Sequence, residues 1–364
     1  MFNRNKSFPV FCTKVFILTL VIFVLCYLVS PIFVPKWDKE NDNYVGTNLK
    51  GLYAEEKDTI DVFYVGNSSV FCGISPIEIW NEFGITGYNI AVGSAVTWTE
   101  YYQIKNYLLV QSPKMIVVDV SSAFQNTPPA EVCYRKSYDH LKMSMEKIDT
   151  ILDDVHSNSF CDNLSFILPV IRFHDRWQEL SKNDILMAYS DDIISSKGYN
   201  YFDDIKPYKY GYKYLEDNCN SNIQLYGDGL KYLKKIEDLC KEENIELVYT
   251  VVPTVEGWDN QKHNIMQKYC NDNNIKFLDI NTKEALSFIN LDWEKDTFDK
   301  GVHLNYNGSY KVTMYLGKYV KENIGSVSHN KSTINSWNDN YINYVKNNEI
   351  KKNCKDDINV CSDN

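Results

Sequence analysis

The chain has 364 residues, 44% of them hydrophobic, with 27 Tyr and 17 Phe, which suffices for a sizeable core in one large domain or two small ones. A formal net charge of −10 with no basic stripe excludes nucleic acid as the expected partner, since nothing would displace counterions from phosphates, and favours neutral or cationic partners. The 10 Cys contain no C-x-x-C pair, which excludes a zinc ribbon or a thioredoxin-like motif, and Cys354 and Cys361 in a polar tail are either a local disulfide or unpaired thiols.

Residues 1–14 carry Arg4, Lys6 and Lys14 and precede an uncharged apolar run from Val15 to Val34, long enough to span a hydrocarbon core as a helix. No A-x-A-like site follows it, and Phe23-Val24-Leu25 before Cys26 does not resemble a lipoprotein box, so an uncleaved signal anchor is expected. After the span Lys36, Asp38, Lys39 and Glu40 nearly cancel. The positive-inside rule then places the N-terminus in the cytoplasm and everything after about residue 40 outside, with 35–57 as a linker behind a single-pass cell-membrane anchor.

Residues 58–325 read as one α/β domain. Thr59-Ile60-Asp61-Val62-Phe63-Tyr64-Val65 is strand-like and runs into Gly66-Asn67-Ser68-Ser69, after which helical spacing takes over at Val70, Ile74 and Ile77. The serines therefore fall in a strand-to-helix turn, where Ser68 is either a helix cap or an exposed nucleophile. Further strands are expected at Tyr88-Asn89-Ile90-Ala91, Met115–Val120, Ile245–Pro253 and Ile275–Ile280, and helices at Trp98–Val110, Asp228–Glu243, Asp259–Asn273 and Tyr306–Glu322. Strands separated by helices imply parallel pairing in a doubly wound sheet, which binds ligands beyond the carboxyl ends of its strands.

A mostly helical insertion over the active face, about 124–225, interrupts this rhythm, with helical periodicity around Tyr138–Val155 and Leu164–Ser181. Within it Arg172, His174 and Arg176 beside Trp177 are either a solvated helix face or a cap lining a polar or anionic substrate groove. From 326 to 364 the composition shifts to Asn, Lys and Asp, and a weakly ordered tail is expected.

A serine nucleophile needs a base and a group to orient it. His303 lies in a polar loop before the last helix of the domain, at the end where Ser68 is expected, and Asp299 precedes it closely enough to accept from the imidazole. No His or carboxylate is spaced around His303 as a recognised metal pattern.

Gly66-Asn67-Ser68 resembles the Gly-Asp-Ser block of the SGNH, or GDSL, hydrolases, and Asp299 with His303-Leu304-Asn305 resembles their last block. Tyr88-Asn89-Ile90-Ala91-Val92-Gly93 is similar to the second block, so the resemblance runs from about Asp61 to Lys321. It is nearest in character to membrane-anchored proteins of low-GC Gram-positive bacteria, related to those that modify teichoic acids and O-acylate surface polysaccharides. The resemblance implies a flavodoxin-like three-layer α/β/α sandwich and acyl-ester chemistry without metal or other cofactor. It makes Ser68 the nucleophile and an oxyanion donor, Gly93 a second donor, His303 the base and then acid, and Asp299 its orienter. Ser69 is the rival nucleophile and Ser94 the rival donor. The family's third block supplies an oxyanion Asn, whereas this chain reads Ser121-Ser122-Ala123-Phe124-Gln125-Asn126, which leaves Ser122, Gln125 or Asn126 as substitutes. The place of the family's Asp holds Lys300, so Asp299 reaches one residue further.

Two functions follow. One is a tethered serine esterase or O-acyltransferase acting on acyl esters, acetyl before others, of a cell-surface polysaccharide or teichoic acid, with a multi-spanning membrane acyltransferase as the partner for transfer. The other is a non-catalytic protein of the same fold that binds or helps assemble surface polymers.

Overall fold

A computed structural model describes residues 4–35, 45–155, 159–209 and 223–350. A long helix α1 (Arg4–Phe33) and a short α2 (Val45–Lys50) lead into β1 (Val62–Val65), α3 (Ser68–Gly73), α4 (Pro76–Phe83), β2 (Gly87–Asn89), α5 (Thr97–Tyr107) and β3 (Met115–Asp119). The insertion follows with α6 (Glu131–Tyr138), α7 (Met145–Asp154), α8 (Phe160–Ile167), α9 (Val170–Phe173), a 3₁₀ turn His174–Gln178 and α10 (Lys182–Tyr189). The chain then resumes its alternation through α11 (Gly227–Glu242), β4 (Glu246–Val251), α12 (Asn260–Asn273), β5 (Lys276–Asp279), α13 (Lys283–Phe288), α14 (Tyr306–Asn323) and α15 (Lys331–Asn347).

The strands form one parallel sheet in the order β2-β1-β3-β4-β5, with Val62 opposite both Gly87 and Met115. This is the flavodoxin-like order expected from the sequence, and its direction switches between β1 and β3. Successive side chains leave opposite faces of a strand. Phe63, Val65, Ile116, Val118, Tyr249 and Val251 thus join one core with residues of α5, α11 and α12, while Val62, Tyr64, Val117 and Val248 join a second with Val312, Leu316 and Val320 of α14. Both faces are covered, so the central strands are buried without alternation in the sequence.

Three expectations change. The helix expected as an anchor begins well before Val15, and its apolar stretch runs Phe8–Phe33 with nearly all of it exposed. It is one helix long and apolar enough to cross a membrane, and its exposure separates it from a core helix of that composition. The periodicity over Tyr138–Val155 is broken, because α6 ends at Tyr138 and Ser144 starts α7 by accepting from Lys147 N–H at 3.0 Å.

The third correction concerns the tail. Residues 331–347 are helical, with Asn330 Oδ1 accepting from Thr333 N–H at 2.8 Å and Trp337 and Tyr344 fully buried. Trp337, Tyr341 and Tyr344 recur at helical spacing and form an apolar face, and Trp337 packs on Trp80 of α4 with ring centroids 5.5 Å apart. The polar composition hid that face. Cys354 and Cys361 lie outside the described residues.

Candidate active site

β1 ends at Val65, and Gly66 carries the turn at φ 153°, where an added Cβ would sit 2.5 Å from Val70 Cγ2 and 2.9 Å from Asp119 Cβ. Only glycine fits between β1 and β3 at the switch in strand order. Asn67 then caps α3, its Oδ1 accepting from Ser69 N–H at 2.9 Å while its Nδ2 donates to Ser121 Oγ at 3.1 Å. That leaves Ser68 as the first residue of α3, half-buried, with an N–H that has no helical carbonyl behind it.

Ser68 Oγ lies 2.7 Å from His303 Nε2, and His303 Nδ1 makes a short contact with Asp299 Oδ2. The other carboxylate oxygen of Asp299 accepts the backbone N–H of His303 at 2.6 Å, which fixes the carboxylate plane against the ring. Lys300 at φ 69° and Gly301 at φ 93° fold the loop back on itself, so a carboxylate four residues before the histidine reaches both groups. Ser69 N–H is bound to Asn67 Oδ1, and Ser68 is the serine that meets the imidazole.

The loop is held from several sides that the sequence did not disclose. Phe298 stacks on Phe202 at 4.1 Å between centroids and on the His303 ring at 5.7 Å, and Phe298 N–H donates to His303 O at 3.3 Å. Lys206 N–H donates to Thr297 O and Lys300 N–H to Lys206 O, so the extended end of the insertion splints the histidine loop. Asn305 caps α14 through Gly308 N–H at 3.2 Å and donates to the carbonyls of Asp204 and Lys295.

Opposite the histidine, Val92 N–H donates to Gly66 O at 3.1 Å and Ala95 N–H closes a turn on Val92 O, which brings Gly93 and Ser94 beside the serine turn. Neither the Gly93 nor the Ser94 N–H is taken up by another described residue, and Ser94 has φ 62°. An added Cβ on Gly93 would meet only Phe71, at 3.9 Å. Behind the turn, Asn89 Nδ2 donates to the carbonyls of Val70 and Ile74 and holds α3 in place.

The residues considered as replacements for the missing Asn are engaged elsewhere. Ser122 is buried and donates to Glu100 Oε1 at 3.1 Å, Gln125 donates to Thr127 O, and Asn126 Oδ1 accepts from Gly229 N–H. Glu100 is wholly buried, and desolvation, with a smaller contribution from Asp119, pushes its carboxyl up to about 8. Desolvation also raises the Asp119 carboxyl, against hydrogen bonds from Ser121 and the Val252 backbone. Cys72 is buried, and burial first, with Asp299 second, drives its thiol well above the usual range, so it offers no thiolate.

Arg172, His174 and Arg176 are not part of this cluster, which corrects the expectation of a groove-lining cap. Arg172 pairs with Glu131 at 2.9 Å, and His174 reaches Ile171 O at 3.2 Å and Asp175 at 3.3 Å. Arg176 donates to the carbonyls of Phe33 and Val34 at 2.7 and 2.9 Å and pairs with Asp184 at 3.1 Å. The free carbonyls at the end of α1 attract the guanidinium there.

No family model matches the chain. No curated protein matches it either. Among solved structures it is similar to a protein of Bacteroides fragilis NCTC 9343 provisionally described as an acylhydrolase, at 12% identity and TM-score 0.36 over 78% of this chain and 97% of that one. It is also similar to a Streptococcus pneumonia protein provisionally described as a platelet activating factor, at 11% identity and TM-score 0.34 over 76% of this chain and 91% of that one.

Proposed function

We propose that the chain is an SGNH-type serine esterase or O-acyltransferase, tethered by α1 outside the cell membrane and acting on acyl esters of envelope glycans through an acyl-enzyme. The observation that carries this reading is the Ser68–His303–Asp299 relay, with Oγ 2.7 Å from Nε2. In the reaction Ser68 Oγ attacks the acyl carbonyl carbon as its proton passes to His303 Nε2, and Asp299 accepts the Nδ1–H and steadies the imidazolium. The developing oxyanion is met by the N–H groups of Ser68 and of Gly93, with Ser94 beside it. Collapse breaks the bond to the leaving alcohol, which takes the proton back from Nε2. Water then resolves the acyl-enzyme in hydrolysis, and a sugar hydroxyl does so in transfer.

With no side-chain amide at the third position, the anion relies on backbone donors, and the loss of one donor costs on the order of 10² to 10³ in rate. The helix that can cross a membrane supports a surface substrate, and the net charge of −10 favours a neutral or cationic polysaccharide over a polyanionic teichoic acid. In the transfer version a multi-spanning acyltransferase delivers the acyl group, an acetyl group in the simplest case.

A fluorophosphonate probe on the purified full chain tests the chemistry. Labelling that vanishes in Ser68→Ala and persists in Ser69→Ala is expected. A folded wild type that never labels would return the chain to the non-catalytic, polymer-binding reading. Supplying an acetyl ester with and without a methyl glycoside, and weighing the products, separates transfer from hydrolysis.

A further inference from the structure

The outer face of α10 is inverted. Asp184 is buried and bound to Arg176 and Ser181, whereas Ile185, Leu186 and Tyr189 point outward, Leu186 with 55% of its surface exposed. Trp177 in the preceding 3₁₀ turn is 66% exposed, and Ile171 of α9 adds to the same neighbourhood in sequence. Helices in water show the opposite pattern, and a contiguous exposed apolar group of this kind marks a surface that something covers.

What covers it follows from where it is attached. Tyr189 donates its hydroxyl to Leu28 O, Val170 N–H reaches Ser30 Oγ at 3.4 Å, and Arg176 holds the carbonyls of Phe33 and Val34. Leu28, Ser30 and Phe33 lie in the last turns of the apolar stretch Phe8–Phe33, and Val34 follows directly after it. From Leu28 to Phe33 the helix axis advances about 7–8 Å. That matches the depth, about 5–10 Å, at which interfacial helices bury an apolar face. Trp and Tyr are the side chains that settle at the headgroup level. We propose that α9, the 3₁₀ turn and α10 form a membrane seat, with Trp177, Ile185, Leu186 and Tyr189 immersed in the outer face of the bilayer that α1 crosses. This inference rests on reading α1 as a membrane anchor. The seat fixes the tilt of the domain, so the Ser68 cleft keeps a set height above the lipid rather than swinging on a tether.

The test uses the full chain in vesicles of phosphatidylcholine and phosphatidylglycerol, with a nitroxide lipid labelled near the headgroup and with aqueous iodide. The Trp177 signal is the difference in emission between the wild type and Trp177→Phe, a change at an exposed site. The expected result is that the nitroxide removes most of this difference and iodide leaves it. Leu186→Glu, also at an exposed site, should reverse that order. An alkaline carbonate wash reports on α1 separately. Protein retained on the vesicles with a Trp177 signal quenched only by iodide overturns the seat and leaves the anchor standing. A signal shielded from both quenchers overturns it in favour of a protein partner or second copy. Release by carbonate overturns the anchor reading, and the depth argument falls with it.

Discussion

Asp299→Asn probes the relay at its most constrained point. In the wild type one carboxylate oxygen is committed to the His303 backbone N–H at 2.6 Å, and the other faces Nδ1. An Asn keeps its carbonyl oxygen on the backbone donor, because the alternative sets an NH₂ against an N–H. Its NH₂ then faces Nδ1, which must become the acceptor, so the imidazole proton moves to Nε2. An Nε2–H cannot accept the Ser68 proton. Installing the wrong tautomer in a serine relay costs on the order of 10⁴ in rate, or about 5.5 kcal/mol of barrier. Asp299→Ala imposes no tautomer, and the ring, with 21% of its side chain exposed, can be solvated instead. The assay is the second-order rate of fluorophosphonate labelling at Ser68, which needs no knowledge of the natural substrate. The expected order is wild type, then Asp299→Ala, then Asp299→Asn. Labelling of Asp299→Asn within tenfold of the wild type, or faster than Asp299→Ala, would refute the tautomer argument.

Trp337→Ala removes the buried anchor of α15 from Trp80 and should destabilise the protein by about 3–5 kcal/mol; an unchanged melting temperature would show that α15 is dispensable. Gly66→Ala forces a Cβ to within 2.9 Å of Asp119 and 2.5 Å of Val70, so the yield of folded protein should fall sharply, as seen by circular dichroism. Glu100 offers a pH test. Its carboxyl rises from 4.5 to about 8, so between those values the folded state keeps a proton that the unfolded chain has lost. Wild-type stability therefore falls as pH rises through that window. Glu100→Gln, which retains an acceptor for Ser122, should gain stability over the wild type as pH goes from 5 to 8, by urea titration; a constant difference would count against a protonated Glu100.

Much of this was legible along the chain because it depends on local pattern. β-branched runs separated by helical spacing are enough to require a parallel sheet with both faces covered, and four of the five observed strands lie inside the stretches where they were expected, while β2 (Gly87–Asn89) starts one residue ahead of its stretch. Gly66-Asn67-Ser68 announced itself because a strand-to-helix turn needs a glycine and a cap. His303 and Asp299 stood out as a polar pair in a loop. The reading failed where polarity was averaged over a window. In α15 three aromatics on one face outweigh the surrounding Asn and Lys, and α10 turns its apolar face outward against the usual rule.

What the sequence determined by itself, then, is the menu of elements and the residue types able to do acyl chemistry, since both follow from spacing and side-chain identity. Only the tertiary structure set Ser68 Oγ against the His303 imidazole, brought Asp299 to the same ring from four residues away, and placed Arg176 on the end of α1. Those outcomes depend on where positive-φ turns aim a side chain and on which free carbonyl or N–H lies within 3 Å or so. Contacts between residues hundreds of positions apart leave no local mark on the chain that makes them.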